Sequence, residues 1–470
     1  MSTIHLWDNS WHVSEPTEGQ KDSFGRESKS LKRNGRDDIC LRALSSSTIG
    51  ELIADEECEV LVWPNSINEG YDELKDQYIF RITEKDGKTI DSLTTNNVVG
   101  FIGKGNTDIR IHSRFASSND NDFFLYYMLE KVMAINSFAL SSSGKEPEVF
   151  DFLLFFFPKL LKDALSQGMY KKYVYHEYND ANIRGVVDVN RHIRLNIPAN
   201  GKIAYRTREF SYDNSVTQLI RHTIEFIRRK QFGKAVLHND PDTEGCVQQI
   251  IQATPTFQPQ QRQTIINENL RRVVHPYYTK YVALQNLCLR ILRYEKLSYG
   301  NDSNNKIHGL LIDAAWLWEE YIGQVLSEDT DIKHYTRKNS HYHLFRDKEG
   351  AFQKIIPDYY DGDKIVADAK YIPLNRSRDL DAERAAPIYY KTIMYMYRFN
   401  TKKGYLFHPI HQNEVNEENA VSITYAIDDR PDCSLTKIGL VVDGNAKTYP
   451  EFREKMKKNE SDFIAYARLE

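Results

Sequence analysis

The stretch Ile355-Ile356-Pro357-Asp358, followed further along the chain by Asp368-Ala369-Lys370, decides the fold predicted for this chain. Both pieces lie in apolar, strand-like sequence. Because residues two apart in a strand point to the same face, Asp368 and Lys370 are expected to project together, with Ala369 turned into the core. A hairpin turning at residues 361–363 would bring Asp358 alongside them. The sequence therefore predicts two carboxylates and one ammonium at the edge of one sheet.

This set of side chains suits metal-dependent cleavage of a phosphodiester. Mg²⁺ prefers oxygen ligands, and a metal-bound water is a strong nucleophile toward phosphate. Asp358 and Asp368 are therefore predicted to bind Mg²⁺ and Lys370 to position the water, in the PD-(D/E)xK nuclease pattern. The alternative is a solvated strand face beside a Pro-Asp turn. Pro241-Asp242 and Pro431-Asp432 are also Pro-Asp pairs, but no Asp-x-Lys strand follows either of them.

A helix predicted over residues 309–326 contributes a further candidate, Glu319. Its apolar residues recur at helical spacing, and they are Leu310, Leu311, Ala314, Trp318, Tyr321, Ile322 and Val325. Glu319 is expected to lend a third acid to the metal site; the alternative is a surface glutamate at the edge of the apolar stripe. After the Asp-x-Lys strand, a second helix is predicted over 381–399, broken near Pro387, and a strand at 404–407.

Composition limits the class of protein. With 470 residues, 41% of them hydrophobic, the chain can form several packed domains. No apolar run of about 18 residues is present, so no membrane span is expected. Neither a signal peptide nor a Cys-x-x-Cys pair occurs, and the five cysteines are scattered, so a cytoplasmic protein without zinc or disulfides is expected. The net charge of −4 decides little about DNA binding, and no residue is assigned to DNA contact.

The predicted fold class is mixed α/β with several domains. Residues 1–40 are expected to form a flexible or loosely attached arm, 41–120 a small β-rich domain, 121–304 a mainly helical middle region, and 305–470 a restriction-endonuclease-like PD-(D/E)xK core. The short loop Gly103-Lys104-Gly105-Asn106 fits a hairpin turn better than a phosphate-binding loop. His334, His341 and His343 more often line a polar strand face than bind a metal.

The middle of the chain resembles the McrC family, the nuclease subunits of McrBC-type, modification-dependent restriction systems. The similar segments are Asn182-Ile183-Arg184-Gly185-Val186-Val187-Asp188, then Tyr205 to Phe210, Ser211-Tyr212-Asp213-Asn214 and Leu219-Ile220. Phe124 to Leu129, Gly100-Phe101-Ile102 and Ile109 to Phe115 also look like family segments. Together with Pro357-Asp358 and Asp368-Ala369-Lys370, the resemblance covers about residues 97–410.

The resemblance implies a double-stranded DNA endonuclease that uses Mg²⁺ and works with a hexameric, McrB-like AAA+ GTPase. It implies that the β-rich domain enters the pore of that partner and stimulates its hydrolysis, and that Asp358, Asp368 and Lys370 are catalytic. One departure concerns the helix after the Asp-x-Lys strand. Where the family usually carries a glutamine four residues before a tyrosine, this chain has Lys391 before Tyr395.

Two other classes of function stay open from the sequence. One is a PD-(D/E)xK nuclease of another defence or repair system with its own ATPase. The other is a non-catalytic scaffold in which the Pro-Asp and Asp-x-Lys pieces are a coincidence or a relic. The complete set of Asp358, Asp368 and Lys370 argues against a relic, since drift usually removes at least one member.

Overall fold

The computed structural model describes residues 2–17, 20, 28–35, 37–55, 58–64, 74–85, 89–105, 107–116, 122–133, 151–230, 233–238, 240–299, 307–330, 332–335, 341–362, 364–372, 374, 378–416 and 420–469. The chain divides into two compact units. Unit 1 consists of residues 1–149 and 303–470, and unit 2 consists of residues 150–302. The predicted turn residues Asn106 and Asp363 lie outside the described residues.

The N-terminal part of unit 1 is mostly strand. Its strands are β1 (Ser2–Trp7), β2 (Trp11–Val13), β3 (Ser28–Ser30), β4 (Glu59–Trp63), β5 (Phe80–Lys85), β6 (Thr89–Thr95), β7 (Val98–Lys104) and β8 (Thr107–His112). Its helices are α1 (Asp37–Ser45), α2 (Ile49–Ala54) and α3 (Phe123–Met133). Strands β3-β2-β6-β5 form one sheet in this order, while β1, β8, β7 and β4 belong to another. The β-rich region expected here is therefore present.

Unit 2 is mainly helical. Its helices are α4 (Asp151–Leu165), α5 (Val189–Asn196), α6 (Ser215–Arg228), α7 (Gly233–Leu237), α8 (Pro241–Ala253), α9 (Arg262–Glu268) and α10 (Lys280–Tyr299). Its described strands are β9 (Lys172–Asp180), β10 (Val186–Val187) and β11 (Ile203–Ser211), which pair in the order β10-β11-β9. Helix α6 buries an apolar face that includes Val216, Leu219 and Ile220.

The C-terminal part of unit 1 alternates strands and helices. Its strands are β12 (Ile307–Asp313), β13 (Lys333–His334), β14 (His343–Arg346), β15 (Ala351–Lys354), β16 (Tyr359–Asp361), β17 (Ile365–Ala369), β18 (Lys403–His411), β19 (Ser422–Ile427) and β20 (Arg430–Val442). Its long helices are α11 (Ala314–Asp329), α12 (Arg378–Phe399) and α13 (Tyr449–Leu469). The mixed α/β, multi-domain class predicted from the sequence is confirmed.

The expected loose arm is wrong for the first described residues. Strand β1 pairs in parallel with β8 from Ser2↔Thr107 to Trp7↔His112. Ile4 and Leu6 are fully buried in the apolar core between the N-terminal elements. Because they are two apart, they face the same side of the strand. The alternation is only six residues long and is followed by polar sequence. Such a short pattern does not distinguish a strand from a polar arm.

Residues 307–313 also differ from the prediction, which began a helix at Gly309. They form β12, which pairs antiparallel with β7 and parallel with β4. A short apolar run buried on both faces cannot be distinguished from a helix by periodicity alone. The helix starts after this strand, where the Asp313 side chain accepts hydrogen bonds from the backbone of Ala315 (2.9 Å) and Trp316 (3.1 Å). The boundary predicted near residue 305 therefore falls just before a strand of the N-terminal sheet.

The C-terminal sheet has the order β13-β16-β17-β18-β20-β19 among the described residues. Strands β17, β18 and β20 are parallel neighbours, and β16 and β19 pair antiparallel at the two sides. The predicted break at Pro387 is wrong, because α12 continues through it to Phe399. A proline removes one backbone donor, while the turn after it packs against the sheet through Ile388 and Tyr389. No helix in the described part of the chain is long and apolar enough to cross a membrane.

Candidate active site

The hairpin formed by β16 and β17 brings the predicted acids together. Its register pairs Tyr359 with Ala367, so Asp358 directly precedes β16 beside the carboxyl end of β17. Asp358 Oδ2 accepts a hydrogen bond from the backbone amide of Ala369 at 2.8 Å. On the other side, the backbone amide of Lys370 donates to the carbonyl of Phe407 at 2.8 Å. The hairpin predicted from the sequence is confirmed, and it fixes the acidic segment between two neighbouring strands.

Asp368 is fully buried and lies between two ammonium groups. Lys370 Nζ contacts Asp368 Oδ2 and also donates to the Ala369 carbonyl at 3.2 Å. Lys391 Nζ, from helix α12, lies 3.4 Å from Asp368 Oδ1. The predicted projection of Asp368 and Lys370 to one side is therefore confirmed. Ala369 is buried, as expected.

The two carboxyl groups are held in different electrostatic states. Burial raises the pKa of Asp358 well above its ordinary value, and the neighbouring charges of Asp368 and Glu319 raise it further. For Asp368 burial acts in the same direction, but Lys370 and Lys391 outweigh it and leave its pKa lowered. The pKa values of these two acids therefore shift in opposite directions, because Asp368 forms ion pairs with both lysines.

These residues fit a divalent cation. Asp368 Oδ2 is buried and makes no hydrogen bond within the described residues, although it lies against the Lys370 ammonium. A cation between Asp358 and Asp368 would relieve the repulsion that raises the pKa of Asp358. No three His, Cys, Asp or Glu side chains of the described chain form a metal-binding group. Backbone carbonyl oxygen and water would therefore complete the ligand shell.

Comparison with known proteins bears on this site. The family model described as "McrBC 5-methylcytosine restriction system component" matches residues 93–409, which include Asp358, Asp368 and Lys370. The chain belongs to this McrBC family. The family predicted from the sequence is thereby confirmed. No curated protein sequence matches the chain.

Two solved structures that include McrC are similar to the chain. One is the refined half-complex from the tetradecameric assembly of Thermococcus gammatolerans McrB AAA+ hexamers with bound McrC, at 15% identity and a TM-score of 0.45, covering 97% of this chain and 100% of that chain. The other is the cryo-EM structure of the Thermococcus gammatolerans McrBC complex, at 14% identity and a TM-score of 0.32, covering 69% of this chain and 87% of that chain. The McrBC assignment itself rests on the family model.

Glu319 lies beside the acidic pair but is engaged elsewhere in this McrBC protein. Its Oε1 lies 3.0 Å from Nε2 of His334, and its backbone carbonyl accepts a hydrogen bond from the Tyr359 hydroxyl. Its charge nevertheless contributes to the raised pKa of Asp358. Its role as a third metal ligand stays a prediction. His334, which the sequence left as a polar strand residue, is the partner that orients Glu319.

A buried polar contact joins the segment after β17 to the segment after β8, and sequence reasoning missed it. Tyr371 follows Lys370, and its hydroxyl lies 3.3 Å from Ser113 Oγ. The Arg114 guanidinium lies 4.2 Å from the centre of the Tyr371 ring. The backbone amide of Arg114 in turn donates to the buried carboxylate of Asp8. Only the strand pairing of β1 with β8 brings Asp8 here, so no local sequence signal could have found it.

Replacing Asp358 by asparagine should stabilise unit 1 in metal-free buffer. The change removes one of two facing acids, and we expect the free energy of unfolding to rise by about 1–2 kcal/mol at about pH 8. Because folding raises the pKa of Asp358, its stability contribution is intact at low pH and is lost as the pH rises through the folded pKa. The advantage of Asp358→Asn should therefore grow as the pH rises above the ordinary pKa of an aspartate.

Urea unfolding followed by tryptophan fluorescence measures this effect in unit 1, because all five tryptophans, Trp7, Trp11, Trp63, Trp316 and Trp318, lie in that unit. Asp432→Asn is the matched control. Asp432 also follows a proline, but it is exposed and pairs with Lys402 at 3.1 Å. An Asp358→Asn protein less stable than the wild type at about pH 8 would contradict the repulsion described for the site.

Proposed function

We propose that the chain is the Mg²⁺-dependent DNA endonuclease subunit of its restriction system, acting in the cytoplasm with an AAA+ partner. The observation that carries this proposal is the convergence of Asp358, Asp368 and Lys370 at one end of the β16–β17 hairpin. The match to the McrBC family covers the same residues. We assign the C-terminal sheet, with helices α11 and α12, to a PD-(D/E)xK nuclease core.

Each residue of the set has a separate task in this proposal. Asp358 and Asp368 would hold Mg²⁺ together with the Ala369 carbonyl and water. Bound Mg²⁺ lowers the pKa of a ligated water and neutralises negative charge that develops on the phosphate. Lys370 is held by Asp368 and by the Ala369 carbonyl, so its ammonium is positioned to orient the attacking water. The amide of Ala369 fixes the carboxylate of Asp358 in the direction of Asp368.

Cleavage of plasmid DNA tests this proposal. Asp358→Asn and Asp368→Asn should each lower Mg²⁺-dependent cleavage by at least about a hundredfold, because each removes a charged ligand of the metal. The assay compares methylated with unmethylated plasmid, with and without the AAA+ partner and GTP or ATP. Asp432→Asn, which changes another aspartate that follows a proline, should cut like the wild type.

The outcomes separate the possible functions. Cleavage that needs the partner and a nucleotide, and that is lost in both site variants, supports the proposed function. It also shows whether the system uses GTP or ATP. Cleavage by the wild-type chain without a partner would favour a self-sufficient nuclease. Undiminished cutting by Asp368→Asn would contradict the assignment of the site. Partner binding without cleavage on either plasmid would favour a scaffold.

The contact with the partner has two candidate surfaces. The resemblance to McrC proteins points to residues 41–120. A second surface is the sheet of unit 2, where Tyr173 pairs with Phe210 and Tyr175 pairs with Arg208, so these four side chains share one face. All three aromatic rings are exposed, Tyr175 to 69%. Exposed aromatic residues next to arginine are typical of protein interfaces, and we favour this face as the partner contact.

Replacement of both Tyr175 and Phe210 by serine should weaken binding of the AAA+ partner by about tenfold or more, as expected for aromatic anchors. Binding is measured with full-length proteins in the presence of a non-hydrolysable nucleotide. Tyr397→Ser is the control, because Tyr397 is 86% exposed on helix α12. If the serine variant binds the partner as tightly as the wild type, the contact belongs to residues 41–120 or to another surface.

A further inference from the structure

Helix α12 places a second lysine in the site. Lys391 stands where the McrC resemblance leads one to expect a glutamine, and its ammonium lies 3.4 Å from Asp368 Oδ1. Lys370 occupies the other oxygen of the same carboxylate. Asp368 is therefore neutralised by two cations that come from different elements, the strand β17 segment and helix α12. A glutamine at this position would supply a hydrogen bond without a charge.

Tyr395 and the buried residues beside it place the Lys391 ammonium next to Asp368 in this structure. Its ammonium lies 5.4 Å from the centre of the Tyr395 ring, one helical turn further along α12. The Tyr395 hydroxyl donates to the Ile356 carbonyl at 2.8 Å, just before Pro357-Asp358. The helix is thus tied to the segment that carries Asp358 as well as to Asp368. Thr392, Tyr395 and Met396 are buried, so the helix face next to Lys391 is anchored on the sheet.

The two lysines differ in access to solvent. The Lys370 side chain is 24% exposed and makes a second contact with the Ala369 carbonyl. The Lys391 side chain is 42% exposed, and it reaches Asp368 from helix α12. Lys391 is therefore the cation of this site that can leave the carboxylate and meet a substrate phosphate. Lys370 has two contacts that hold its ammonium, one with Asp368 and one with the Ala369 carbonyl, and is therefore better suited than Lys391 to orient water.

The charges of the site limit the number of metal ions. Two carboxylates, Asp358 and Asp368, face two ammonium groups, and Glu319 is engaged by His334. The charges of the two carboxylates and the two ammonium groups cancel. The anionic phosphate of DNA would then offset part of the charge of one bound divalent cation. Among the described residues of the site, a second divalent cation would have only Glu319, which His334 engages, as a further carboxylate, and it would bind next to two lysines. In two-metal nucleases the second ion stabilises the charge of the leaving oxygen, and here a positive charge is already present on the protein.

We propose, on the basis of the nuclease function above, that this is a one-metal site in which Lys391 supplies the charge that a second metal ion provides elsewhere. Without substrate, Lys391 pairs with Asp368 and competes with the metal for that carboxylate. When DNA and metal are bound, Lys391 contacts the phosphate. The residue is therefore required for its charge, and a neutral glutamine does not replace it.

Calorimetric titration of the full-length chain with CaCl₂, together with Mg²⁺-dependent plasmid cleavage by the complete system, tests this inference. The wild type should bind one Ca²⁺ per chain. Lys391→Gln and Lys391→Met should also bind one Ca²⁺, but about three- to tenfold more tightly, because a competing, partly exposed charge is gone. Cleavage by both variants should fall by about tenfold or more, while Lys391→Arg should retain most of it.

Lys364→Gln is the matched control. Lys364 is 73% exposed near the turn of the same hairpin and pairs with Asp361 at 3.6 Å, so neither Ca²⁺ binding nor cleavage should change. Tryptophan fluorescence during urea unfolding shows whether each variant is folded. If Lys391→Gln misfolds, Lys391→Arg and Lys391→Met carry the same comparison between a charged and a neutral side chain.

Four results would overturn the inference: two Ca²⁺ ions or none bound to the wild type, Lys391→Gln cleaving like the wild type, Ca²⁺ affinity unchanged in Lys391→Gln, or cleavage lost in Lys391→Arg. Asp368→Asn separates this failure from failure of the nuclease proposal. Loss of cleavage in Asp368→Asn with a fully active Lys391→Gln rejects only the role of Lys391. Full cleavage by Asp368→Asn rejects the nuclease site as a whole.

Discussion

The buried carboxylate of Asp368 between Lys370 and Lys391 is the interaction on which the site depends. Burial of an unpaired carboxylate is costly, and the two ammonium groups make the charged form of Asp368 the stable one. The same arrangement leaves Asp358 next to a fixed negative charge, which raises its pKa. The protein thus keeps two acids together at a cost in stability that a bound cation would remove. Such local strain is typical of functional sites.

The fold maintains this arrangement from two directions. Asp358 is held by the amide of Ala369, and the strand after Asp368 is held by the carbonyl of Phe407. Beyond Lys370, Tyr371 packs under Arg114 and beside Ser113 at the end of β8. Movement of the N-terminal sheet would therefore shift the chain next to Lys370.

The sequence predicted those parts of the site that depend on local pattern. Asp358, Asp368 and Lys370 come from two short strands and a tight turn, whose geometry depends on alternation and turn residues. Strand β1 and strand β12 were missed for a different reason. Ile4 and Leu6 lie in β1, which pairs with β8, and residues 307–313 pair with β7 and β4, and these partner strands lie far away in the chain. The ion pair of Lys391 with Asp368 likewise depends on how α12 packs on the sheet, and periodicity does not determine this packing.

Anomalous diffraction from crystals of the full-length chain soaked in MnCl₂ tests the central claim most directly. Mn²⁺ prefers the same oxygen ligands as Mg²⁺. The account predicts one anomalous peak bonded to the carboxylates of both Asp358 and Asp368, and no peak there in crystals of Asp368→Asn. A wild-type crystal without a peak at these two residues, or with Mn²⁺ held by other side chains, would contradict it.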